Sequence, residues 1–219
     1  MTKNKFTNKT NLELPVWLES APYVPTFRVL DTLYKYGRYA LQTKVITVAD
    51  LVKFHGHLCG GLMEATVALK AAFDLLFPDG IIDRTDLAIV SNNSTCGGDV
   101  AAYLTGARTR FGSHIIDTTL DGGEFIVHKV SSGETVHVQI KPEMYPSEVK
   151  AQMHKLLSGE YMPQDIDRFG EVQWSYAKRL VQKPASESFS IQFLNDFELP
   201  EPTCDDLGKR SDNDYKNAP

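Results

Sequence analysis

In Lys53–Ala65, KFHGHLCGGLMEA, two histidines and a cysteine fall within five residues, in a chain with six histidines and three cysteines altogether. His57 and Cys59 are one residue apart, so a single loop can aim an imidazole nitrogen and a thiolate sulfur at the same ion. That donor pair suits zinc or another late transition metal and does not suit magnesium or calcium. Gly56, Gly60 and Gly61 remove side-chain bulk and permit positive φ where a loop must wrap an ion. So short a cluster does not close a tetrahedral shell alone. Cys96, in NNSTCGGDVAAYLTG, is the natural further donor. It follows a strand-like run, stands beside Gly97 and Gly98, and opens a helix whose N-terminus favours a thiolate. The metal candidates are thus His57, Cys59 and Cys96, with His55 within reach.

Each residue also has a plainer reading. Cys96 could instead be a catalytic nucleophile activated by the helix and a neighbouring histidine. Asp99 either hydrogen-bonds a ligand histidine or is simply an acid favoured in the first turn of a helix. Arg108 and Arg110 could meet an anionic substrate or cap the end of the helix before them. Asp99, Arg108 and Arg110 are the catalytic candidates, with no role fixed. His57 or Cys59 could also serve as an axial ligand to haem. His128 and His137 read as solvated or packed strand residues, His154 as ordinary surface and Cys204 as a free thiol in an acidic tail. His114 stays open.

The elements that must position this chemistry follow from periodicity. Residues 1–11 read as a polar tail, and LPVWLESAPYVP as a proline-rich extended arm held by Trp17, Tyr23 and Val24. Phe27, Leu30, Leu33, Tyr34 and Leu41 predict a helix, with Gly37 as its weak point. Thr47 and Asp50 form a capping-box pattern opening a short helix that ends at His55-Gly56-His57. A longer helix covers Leu62–Phe77, stopped by Pro78 and Gly80. Asp86–Ser91 reads as a strand running into NNSTCGG, and DVAAYLTGA as a helix. EFIVHKV and ETVHVQIK form a hairpin. A two-residue Ser132-Gly133 turn would set Val127 opposite Val138, Phe125 opposite Ile140 and His128 opposite His137. Ser147 starts a helix ending near Gly159, another spans Ile166–Val181, and the chain from Lys183 onward reads as loosely held. The order predicts an α+β fold, helices against a small antiparallel or mixed sheet, with N- and C-terminal helical extensions. Three regions result: a tail, arm and helix at 1–46, a metal-binding core at 47–158, and a C-terminal helix and acidic tail at 159–219.

Composition narrows the class. The chain has 219 residues, 42% hydrophobic and 23% charged, with a net charge of −5 and no basic patch to suggest nucleic acid. The most apolar stretch, GLMEATVALKAAFDLLF, is interrupted by Glu64, Lys70 and Asp74, so no membrane span is expected. MTKNKFTNKTN lacks the apolar run of a secretory signal, and three cysteines make no disulfide framework. A reducing cytoplasm is the expected compartment.

FHGHLCGGLMEATVALKAA followed by VSNNSTCGGDVAAYLTGARTRFG and a hairpin resembles the FmdE family, named for a component of formylmethanofuran dehydrogenase. The resemblance runs from about Val48 to Lys155. His55, Gly56, His57, Cys59, Gly61, Cys96, Asp99, Thr105 and Gly106 fall on its pattern. It implies a metal site, usually zinc, carried by the histidine–cysteine segment and Cys96, and a homodimer. Three departures stand out. The family proline after the first cysteine is Gly60, the cysteine that commonly follows T-G is Ala107, and no cysteine-rich zinc ribbon ends the chain. The expectation is an FmdE-like metalloprotein, either a stand-alone enzyme or an accessory of a redox system. It would meet a small-molecule substrate or a partner redox protein. The alternative is a carrier or structural protein whose metal shell is closed.

Overall fold

The structure, a computed structural model, describes residues 14–33 and 38–200. The polar tail at 1–11, Tyr34, Gly37 and Cys204 lie outside the described residues. The fold is α+β, with seven α-helices packed on two mixed sheets among the described residues.

The first sheet has the order β2-β1-β3, with β1 (Thr26–Leu30) antiparallel to β2 (Lys44–Thr47) and parallel to β3 (Ile81–Asp83). The helix expected from Phe27 onward is therefore a strand at its start. Phe27 and Val29 are buried while Thr26 and Arg28 are exposed, the period of two that a half-buried strand requires. Thr26 and Val29 are β-branched, and pairing on both sides satisfies the backbone.

The second sheet, β5-β4-β6-β7-β8, carries the larger core. Its strands are β4 (Leu87–Ser91), β5 (His114–Ile116), β6 (Phe125–Lys129), β7 (Thr135–Ile140) and β8 (Phe189–Phe193). The β6–β7 hairpin forms, but two residues out of the expected register. Phe125 faces Val138, Val127 faces Val136, and His128 faces Thr135 in place of His137. The connection spans Val130–Gly133: Lys129 N–H bonds Glu134 O, and Gly133, at φ +75°, donates to Lys129 O. A four-residue turn replaces the two-residue one, because burying Phe125, Val127, Val136 and Val138 on one face decides the register.

Helix α2 (Val48–His55) starts on the expected capping box, with Thr47 Oγ1 accepting Asp50 N–H and Asp50 Oδ2 accepting Thr47 N–H at 2.9 Å. Helix α3 (Gly60–Leu76) is buried on nearly every face and packs on β6, β7 and two further helices, α4 (Thr95–Thr105) and α6 (Pro163–Leu180). Helix α5 (Ser147–Leu157) lies against α6. Ser147 is the first residue of α5, and its side chain makes no capping bond.

Both ends depart from the expected loose arrangement. The arm forms a short helix, α1 (Trp17–Ser20), which buries Leu18, and Tyr23 N–H bonds Val181 O at 3.1 Å. Beyond Lys183, α7 (Ala185–Ser188) leads into β8, which pairs antiparallel with β7 from Val136↔Phe193 to Ile140↔Phe189. Phe189 alone is fully buried there. So short an apolar signal is invisible until the sheet edge at β7 offers it a partner.

Candidate metal centre and its surroundings

Two helix starts and one helix end meet at one point. Helix α2 stops at His55 because Gly56 adopts φ +105°, a left-handed conformation that costs glycine little and turns the chain back toward His57. Cys59 is then the N-cap of α3, its Sγ accepting Leu62 N–H at 3.3 Å. Cys96 sits in the first turn of α4, whose N-cap Ser94 accepts Gly97 N–H.

The donor atoms of His55, His57 and Cys59 lie within 4.8 Å of one another. His55 Nε2 is 3.9 Å from Cys59 Sγ, and Cys96 Sγ is 3.4 Å from Cys59 Sγ. The four metal candidates thus share one place. Asp99 Oδ2 stands 2.8 Å from His55 Nδ1, the carboxylate–histidine contact the sequence left open. The His55 side chain is only 2% exposed, whereas Asp99 reaches solvent.

The two sulfurs do not share charge equally. Hydrogen bonding from Cys96 pulls the Cys59 thiol down to about 5 against the effect of burial, helped by Leu62 N–H and the two imidazoles. The resulting thiolate, with burial, pushes the Cys96 thiol up. Cys59 is the first of the pair to ionise.

Other candidates lie elsewhere. The Arg108 guanidinium bonds the carbonyls of Ala102 and Ala107, capping α4 at the end away from Cys96. Arg110 is in a 3-10 turn, Thr109–Phe111, at that same far end. His114 is buried on β5 with Nε2 2.8 Å from Ser91 Oγ. Burial, with Arg108 nearby, lowers its pKa to about 4, so it stays neutral. His128 meets Thr135 Oγ1, and His137 meets Glu124 Oε1. His154 is exposed on α5.

Sequence reasoning missed the contribution of α6. Gly60 N–H donates to Gln173 Oε1 at 2.6 Å, and Trp174 Nε1–H donates to Leu58 O at 3.0 Å, so α6 grips the loop on both sides of Cys59. It also missed Glu64, which is 4% exposed and accepts a very short hydrogen bond from Tyr176. Burial raises the Glu64 pKa to about 7 although the Tyr176 bond opposes the shift, and Asp121 and Cys59 add to it. The available signal was an acid four residues after Gly60, on the apolar face of α3.

The family described as FmdE, Molybdenum formylmethanofuran dehydrogenase operon, matches residues 54–190. The chain belongs to the FmdE family. Among solved structures it is similar to an FmdE-like protein of tungsten formylmethanofuran dehydrogenase from Syntrophus aciditrophicus. The identity is 16% and the TM-score 0.45, over 68% of this chain and 72% of that one. No curated protein matches the chain. The FmdE match begins at Phe54 and ends within β8, so it takes in the whole His/Cys loop, Cys96 and the α6 clamp. No helix among the described residues is long and apolar enough to cross a membrane.

Proposed function

We propose that His55, His57, Cys59 and Cys96 bind one zinc ion, or another late transition metal. The protein then works as a small metalloenzyme on a small-molecule substrate or as the metal-bearing accessory of a redox partner. The observation that carries this reading is convergence: three donor atoms within 4.8 Å, joined by a second sulfur at 3.4 Å. Two thiolates at about 2.3 Å from a tetrahedral zinc lie ~3.8 Å apart, so the pair needs to open by only a few tenths of an ångström. The donor set therefore fits the metal.

The chain's own residues prepare the site. Asp99 occupies His55 Nδ1 and leaves Nε2 as the donor on the Cys59 side. Leu62 N–H holds negative charge on Cys59. With fewer than four protein ligands, zinc polarises an oxygen or activates water. A second reading rests on the same four donors, because together they suffice for a closed shell, which suits a carrier or structural protein.

Elemental analysis of protein purified without an affinity metal column tests the site, with one metal per chain expected. Azide added to the cobalt-substituted protein then separates the readings. A changed visible spectrum supports the enzyme, an unchanged one the closed shell, and absence of stoichiometric metal overturns both. A Soret band in the native protein would replace metal by haem. We further propose a cytoplasmic homodimer organised as an arm at 1–46, a metal core at 47–158 and a C-terminal region at 159–219.

A further inference from the structure

Glu64 is the one acid buried among the apolar residues of α3, and two separate contacts place it beside the cysteine pair. On one side Tyr176 donates its hydroxyl proton to Glu64 Oε2, while its ring lies on Gly60, the residue after Cys59. A Cβ at Gly60 would stand 2.6 Å from Tyr176 Cδ1. On the other side the carboxyl rests against Gly123, where a Cβ would come within 1.9 Å of Glu64 Oε1. The adjoining Gly122 packs its carbonyl on Gly97, the residue after Cys96, and accepts the Ser94 hydroxyl at 2.9 Å. Glycines 60, 97 and 123 thus leave the space in which the carboxyl lies next to both sulfurs. No hydrogen-bond donor among the described residues meets Oε1.

An isolated buried carboxyl costs stability unless it is neutral or well bonded. Here it has one donor and a free oxygen. The ionisable groups facing it are Tyr176 from α6, Tyr145 from the segment before α5, Asp121 from the loop before β6, and Cys59 and Cys96. Tyr145 packs edge-on against Tyr176 at 5.5 Å and lines an open cleft of about 490 Å³ with Ser175 and Arg179. The pair is one ring away from water.

We propose that Glu64, held by Tyr176, is the proton-transfer group of this site. A hydroxyl or water held beside Cys59 and Cys96 passes its proton to Oε1. The O–H bond breaks, its electron pair stays on the departing oxygen, and the proton returns by the reverse step. The Tyr176 bond to Oε2 persists throughout. This inference rests on the metal reading above and adds an acid–base group to it.

Cobalt(II) is the probe, bound to native protein, Glu64→Gln and Tyr176→Phe, with bound metal per chain and the pH profile of the visible spectrum measured for each. All three should bind native amounts of cobalt. The native spectrum should titrate near neutrality. Glu64→Gln should lose that step, and Tyr176→Phe should move it upward by roughly one pH unit, since a donor that favours the carboxylate is gone. Infrared spectra of metal-free native protein should show a protonated carboxyl band that disappears as pH rises through about 7 and is missing in Glu64→Gln. Native titration retained in Glu64→Gln overturns the proposal, as does loss of cobalt from that variant or absence of the band in native protein. Failure of native protein to bind cobalt overturns the metal reading and this inference together.

Discussion

The unequal cysteines make distinct predictions at the scale of single residues. Cys96 is a donor whose loss removes one of two sulfurs, whereas Cys204 lies outside the described residues and has no assigned role. Cys96→Ser should lower bound zinc at least tenfold under competition with a chelator, while Cys204→Ser should leave it unchanged. Equal losses would separate Cys96 from the site. His114 offers a test unconnected with metal. Its pKa is depressed to about 4 because burial, with Arg108 nearby, disfavours the imidazolium. The unfolded chain, with its histidine near the ordinary 6.5, binds the proton first as pH falls. Stability from this residue is therefore complete above about 6.5 and is lost between there and about 4, roughly 2–3 kcal/mol in all. His114→Asn should flatten the slope of urea stability across that window. An unchanged slope would mean that His114 is charged in the folded protein.

At the scale of elements, the meeting of α3 with α6 explains a departure from the family pattern. A proline after the first cysteine would lack the N–H that Gly60 gives to Gln173 Oε1. Its ring would also enter space filled by Gln173 and the Tyr176 ring. The glycine and the α6 clamp belong together, since each leaves room for the other. Gly60→Ala should cost about 1–3 kcal/mol, the usual range for overpacking a tight contact, read as a lowered denaturant midpoint. Unaltered stability would show that α6 lies farther from the loop than Tyr176 and Gln173 place it.

At the scale of the whole molecule, the arm and the α5–α6 region bear on assembly. Leu18 is buried, Trp17 and Val24 pack on the core, and Tyr23 bonds Val181. Deleting the residues before Thr26 should lower the melting temperature and leave metal stoichiometry intact. Metal lost from that deletion would place the arm in the site. Around the α5–α6 turn, Met153, Leu157, Tyr161, Met162 and Ile166 are exposed apolar residues, a surface that monomers seldom leave open. We expect a homodimer burying more than about 1,000 Å². Light scattering at micromolar concentration should give twice the 24.5 kDa chain mass. A mass of one chain, unchanged by dilution or salt, would refute the dimer.

Local chemistry determined what the sequence alone could tell. The Thr47–Asp50 box, the stop at Gly56, the cysteines at helix starts and the apolar run of α3 are short-range patterns whose physics is complete within a turn or two of chain. They sufficed to single out His55, His57, Cys59 and Cys96 and to predict an α+β fold. Contacts between distant segments decided the rest. Thr26–Leu30 became a strand because β2 and β3 flank it, and β8 exists because β7 offers an edge. The hairpin register followed the buried face and not the turn. Glu64 acquired its environment from Tyr176, 112 residues away along the chain. No local pattern encodes such a neighbour, since burial and hydrogen bonding at that separation exist only once the helices have packed.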